Sequence, residues 1–132
     1  MEYQIRVSDD GSYIEIVSFI DVDRVSAFKH TVEAHILGRE LGIDLFLVDY
    51  RLARNLDQPS VRFEFANQTL LNTEMINPRA VVAVVVDKDD SSHDFSETLM
   101  LNVGLNVRYF RDIEQAKQHL LSYQQREVGR SS

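Results

Sequence analysis

Asp49 and Asp87 are the residues whose placement most invites chemistry, because each follows closely on an apolar run. One run is Leu45-Phe46-Leu47-Val48 and the other is Ala-Val-Val-Ala-Val-Val-Val at 80–86. Short apolar runs that are rich in β-branched side chains and ended by charge predict strands buried on both faces. Two neighbouring central strands would deliver both carboxylates to one end of a sheet, where they could share a proton or hold Mg²⁺. Aspartates at strand ends more commonly cap turns or pair with a cation, and Arg51 and Arg54 are close by for Asp49. That second use is the expected one.

Other candidates thin out on inspection. Asp87, Asp89 and Ser91 have the one-three-five spacing of a calcium loop, but Ser92 and Thr98 stand where the loop needs Gly and Glu. His30 and His35 are five apart, which turns them to different faces of a helix, and His93 and His119 are isolated. All four are read as surface or half-buried residues, and no metal is expected. Without a Gly-rich loop at a strand-to-helix turn, neither nucleotide nor other cofactor is expected, and no catalytic motif marks an enzyme. Phe63, Phe65, Leu70, Leu71, Met75 and Met100 could line an apolar pocket, although most such side chains are simply core.

Composition bounds the setting of these residues. A chain of 132 residues, 44% hydrophobic, suits one domain with a real core, predicted over residues 3–123 with a polar flexible tail at 124–132. A net charge of -7 without a Lys/Arg cluster argues against nucleic acid and anionic membrane as partners. The absence of cysteine excludes disulfides and thiolate chemistry and fits a reducing compartment. No basic and apolar leader opens the sequence and no 18-residue apolar stretch interrupts it. A cytoplasmic location without a membrane span is therefore expected.

The elements that would position the carboxylates follow from periodicity. Tyr3, Ile5 and Val7 alternate with polar residues, as do residues 13–19 around Ile14 and Ile16, and Asp9-Asp10-Gly11 supplies the turn of a hairpin. From Val22 the period becomes helical, with Val25, Phe28, Val32 and Ile36 as the inward stripe, Asp21 or Asp23 at the start and Gly42 at the end. Residues 44–50 form the third strand. Pro59 opens a second helix. Val61, Phe63 and Phe65 alternate as in a strand there, but Phe65, Ala66 and Leu70 fit a helix, the crossover that the flanking strands need, and Asn77-Pro78 ends it before the central strand. Ser91 with Asp94 opens a third helix that Gly104 closes; residues 106–110 are the last strand, and Ile113, Ala116 and Leu120 face inward on the last helix. The order is ββαβαβαβα. It predicts an α/β fold with a mixed, mostly parallel five-stranded sheet and Tyr3–Val7 as the antiparallel edge strand.

This order resembles the SpoIIAA-like family of the STAS (anti-sigma-factor-antagonist) fold. The likeness extends from Tyr3 to about Leu121. Its most specific piece is the close: a helix containing Phe95, then Asn106-Val107-Arg108-Tyr109-Phe110, then Asp112-Ile113-Glu114-Gln115-Ala116 leading to Leu120. The resemblance implies a protein that binds partner proteins or nucleotides. It also implies a phosphorylation switch at a serine opening the second helix, where this chain reads Asp57-Gln58-Pro59-Ser60-Val61 and lacks the family's Ser-Ser-Gly core. The similarity of SpoIIAA-like proteins to the CRAL-TRIO fold implies an apolar ligand between helices and sheet. Residues 44–52 look like the phosphoacceptor strand of response-regulator receivers, but the acidic pair, the Thr or Ser and the Lys that a receiver needs are missing.

The function expected is that of a non-enzymatic STAS-like regulatory module. It would bind an unknown protein partner through the second helix and the strand-end loops, using Asp49, Arg51, Asp57, Ser60 and Asp87. The alternative is a carrier or sensor of a small apolar or lipid-like ligand, held by Phe63, Phe65 and Met75. A homodimer through an exposed apolar helix face is a further expectation.

Overall fold

A computed structural model describes residues 2–56, 79–93 and 106–131. Its order is β1 (Tyr3–Val7), β2 (Ile14–Ser18), α1 (Arg24–Leu41), β3 (Leu45–Tyr50), β4 (Val81–Val86), β5 (Val107–Phe110) and α2 (Ile113–Ser131). The five strands lie side by side in chain order; β1 is antiparallel to β2, and β2 to β5 are mutually parallel. The α/β class, the mixed five-stranded sheet and the antiparallel edge strand are as predicted. The expected second helix, the expected third helix and the capping pair Ser91 and Asp94 fall wholly or partly in residues 57–78 and 94–105, outside the described residues.

Local chemistry explains where the elements start and stop. Gly11 turns the β1–β2 hairpin at φ 75°, a left-handed conformation with little cost for glycine. Asp23, the nearer of the two proposed caps, accepts from Ser26 N at 2.8 Å, while Ser26 Oγ bonds back to Asp23 N at 3.0 Å. Asp21 is used elsewhere, accepting from Arg54 N at 2.9 Å. Gly42, at φ 70°, closes α1 by donating to the Gly38 carbonyl. The last helix continues to Ser131 through the polar stretch expected as a tail, a stretch of Gln, Arg and Glu that suits helical backbone.

Side chains alternate across the strands and build two cores. On the α1 face lie Ile14, Ile16, Phe46, Val48, Tyr50, Val84 and Val86. On the α2 face lie Leu45, Leu47, Val81, Ala83 and Val85, against Ala116 and Leu120. All six residues of β3 are buried, and all but Val82 in β4, as strands covered on both faces require.

The inward stripe of α1 is rotated from the one expected. Ile36 is 50% exposed and Val32 only half-buried, whereas His30, Ala34, His35 and Gly38 are buried. The expectation that the histidines sit at the surface or half-buried is therefore corrected for His30 and His35, and likewise for His93 in the loop after β4, which is buried too. Along α1 the reason is close approach: a Cβ on Gly38 would lie 2.7 Å from the Ile43 carbonyl and 3.0 Å from the Phe46 ring. The helix thus seats its small residues on the sheet and turns bulky Ile36 outward. The side chains of Val25 and Phe28 lie outside the described residues.

Candidate interaction rim at the carboxyl end of the sheet

The parallel strands end together, and the loops that follow them are bonded to one another. Val22 and Asn55 form a parallel bridge, with Val22 N donating to the Arg54 carbonyl and Leu56 N to the Val22 carbonyl, each at 2.9 Å. Asn55 N donates to Ser92 Oγ at 2.9 Å, tying the loop after β3 to the loop after β4. Arg111, just beyond β5, donates from Nη1 to the carbonyls of Asp87, Lys88 and Asp90 at 2.8, 3.1 and 3.0 Å. A guanidinium therefore occupies the cationic place in the acidic loop 87–90.

The predicted carboxylate pair does not share a partner here. Asp49 is buried and bound by Arg51, whose Nε and Nη2 donate to its two oxygens at 2.9 and 2.7 Å. Asp87 is exposed, and its Oδ2 accepts from Asp89 N at 3.1 Å. Register explains the separation: Asp49 is opposite Val85, so Asp87 lies two residues further along the neighbouring chain. Of the other predicted site residues, Asp57, Ser60, Phe63, Phe65 and Met75 lie outside the described residues, as does Met100. Among the described residues no three His, Asp or Glu side chains group to hold a metal ion.

Sequence reading missed a row of rings beneath the rim. Tyr3, His30, Tyr50, His93 and Tyr109 follow one another across the α1 face, with successive centroids 4.1, 6.3, 5.9 and 6.0 Å apart. His30 Nδ1 lies 3.1 Å from the Tyr50 hydroxyl. Burial pushes the Tyr50 hydroxyl pKa up and the His30 pKa down, so both groups stay neutral near pH 7. His93, buried at 3% exposure, donates from Nε2 to the Ala53 carbonyl at 2.9 Å, and the Asp90 carboxylate stands 3.7 Å from the same nitrogen. Burial opposes ionisation of Asp90, but bonds from Ser92 and the nearby His93 and Arg54 outweigh it and hold its carboxyl below the usual range. The available signal was the period of four from His30 through the small residues Ala34 and Gly38, a pair that marks a close contact of the helix with the sheet.

Above this bonded base the rim exposes apolar side chains. Phe19 and Ile20, after β2, are 44% and 47% exposed; Leu52 and Leu56, after β3, are 67% and 62% exposed. The two loops carrying them are the pair joined at Val22 and Asn55. Arranged so, they can offer an apolar surface on a backbone held by hydrogen bonds at its base.

Sheet order and rim define the chain as an α/β protein with a mixed five-stranded sheet whose strand-end loops are bonded into one rim. No family model, curated protein or solved structure matches the chain. Among the described residues no helix is long and apolar enough to cross a membrane.

Proposed function

We propose that the chain is a non-enzymatic regulatory module, similar to SpoIIAA-like proteins of the STAS fold, that binds a protein partner through its strand-end rim. The observation that carries this reading is the exposure of Phe19, Ile20, Leu52 and Leu56 on two loops held by the Val22–Asn55 bridge. Large apolar side chains on a pre-ordered backbone lose little entropy on docking, which suits them to be the core of an interface. The carboxylates speak for the same reading: Asp49 is occupied by Arg51, and Asp87 by its own turn. Hairpin and parallel strands in chain order support the STAS likeness.

The test is crosslinking of the full chain in its native cells, followed by mass spectrometry, with Leu52→Asp/Leu56→Asp beside the parent protein. A partner captured by the parent and lost by the double variant, with circular dichroism unchanged, is the expected result. An identical set of crosslinked proteins for both chains would overturn the reading. A releasable apolar mass in native mass spectrometry would instead favour a carrier.

A further inference from the structure

Among the described residues β1 is the edge strand of the sheet, and its outward side points to a second copy of this chain. β1 ends the strand order, and the phase of its bonding to β2 is set by Phe19 N donating to the Glu2 carbonyl and Ser8 N to the Tyr13 carbonyl, each at 2.9 Å. Antiparallel bonding alternates residue by residue. Gln4 and Arg6 therefore also face β2, and the N–H and C=O groups of Tyr3, Ile5 and Val7 point outward. The strand contains no Pro or Lys and its register with β2 runs without a bulge, and its one charged side chain, Arg6, is bonded to Glu15 on its own sheet.

We propose that two copies pair their β1 strands antiparallel about a two-fold axis at Ile5, joining their sheets into one. The inference is independent of the rim. In this register Tyr3, Ile5 and Val7 exchange N–H and C=O bonds with Val7, Ile5 and Tyr3 of the second copy, which is the self-complementarity that a two-fold contact demands. On the face away from α1, Gln4 stands opposite the second copy's Arg6, and Glu2 lies diagonal to it. Like charges do not meet, and two opposite-charge diagonals form.

The helix face leaves room for the same axis. Lys29 and Glu33 fall on one stripe of α1, and that stripe looks toward β1: the Tyr3 hydroxyl donates to the Glu33 carboxylate, 2.8 and 2.9 Å from its oxygens, and Lys29 Nζ lies 5.7 Å from the Tyr3 ring centroid. With strands about 4.8 Å apart and α1 seated over β2 and β3, where Gly38 meets Ile14 and Phe46, the two α1 helices would stand roughly 14 Å or more from each other and would not clash. Ile36, half exposed in the single chain, points away from the sheet and stays at the surface, so the strand pair alone carries the contact.

Sedimentation equilibrium of the full chain tests this. The parent protein is expected to dimerise reversibly. Gln4→Glu, placing a carboxylate opposite Arg6 twice per dimer, should tighten the dimer roughly five-fold, and Gln4→Lys should loosen it by a similar factor. Ile5→Pro, which removes an outward N–H together with the packing of Ile5 on the core, should give a monomer; should that variant fail to fold, the Gln4 pair still decides. A parent chain that remains monomeric to its solubility limit overturns the proposal. So does a dimer whose affinity moves in the same direction, or not at all, with the two Gln4 substitutions. A dimer sensitive only to Leu52→Asp/Leu56→Asp would place self-association at the rim instead.

Discussion

His30 Nδ1 lies 3.1 Å from the Tyr50 hydroxyl, so the middle of α1 is bonded to the last residue of β3. Removing that hydroxyl with Tyr50→Phe keeps the ring but strands a buried nitrogen. A loss of about 1–3 kcal/mol is expected, because an unsatisfied buried polar group bears its desolvation cost uncompensated. Urea unfolding measures it, and an unchanged midpoint would show that the bond contributes nothing net.

Stability should rise with pH across the range in which free histidine titrates. Burial depresses the pKa of His30 and His35 below 6.5, so below that pH the unfolded chain holds more protons than the folded one. The contribution is complete above about pH 6.5 and is lost as pH falls through the lower folded-state values. Thermal melts between about pH 7.5 and 5 should show this slope, and His35→Gln should flatten it. A melting temperature that increases toward acid would contradict the burial of these rings.

Gly38→Ala sets two effects against each other. Helix propensity alone favours alanine by about 1 kcal/mol. The new methyl group would lie 2.7 Å from a backbone carbonyl, that of Ile43, and 3.0 Å from the Phe46 ring, and overpacking of this kind costs about 1–3 kcal/mol. Backbone yields less readily than a flexible side chain, so net destabilisation in chemical unfolding is the expected sign. A stabilised variant would mean that α1 stands further from the sheet.

Arg111→Gln should loosen the acidic loop without unfolding the domain. Three carbonyls, those of Asp87, Lys88 and Asp90, share one guanidinium nitrogen, and a glutamine cannot reproduce that cationic donor. Amide exchange at residues 87–93 should accelerate about ten-fold or more, the equivalent of ~1.4 kcal/mol or more in local opening. Exchange confined to its parental rate would remove Arg111 from the account of the loop.

Much of the architecture was legible in the chain itself. Alternation at Tyr3, Ile5 and Val7, the Asp9-Asp10-Gly11 turn, the all-apolar central runs and the caps at Asp23 and Gly42 are local signals, and each element formed where its signal stood. The pairing of Asp49 with Arg51 was legible for the same reason, since the two residues are neighbours. The orientation of α1 was not. Counting apolar residues favoured Val32 and Ile36, but the helix rests on Ala34 and Gly38, because distance of approach to Ile43 and Phe46 decides its rotation. That rotation buries His30 and His35 and brings His30 to Tyr50, a contact between residues twenty apart in sequence. Composition and periodicity thus determined the described strands and helices and their order along the chain, because those depend on neighbours along the backbone. Only the tertiary structure decided which polar side chains are buried and whom they meet, because that depends on how closely distant surfaces fit.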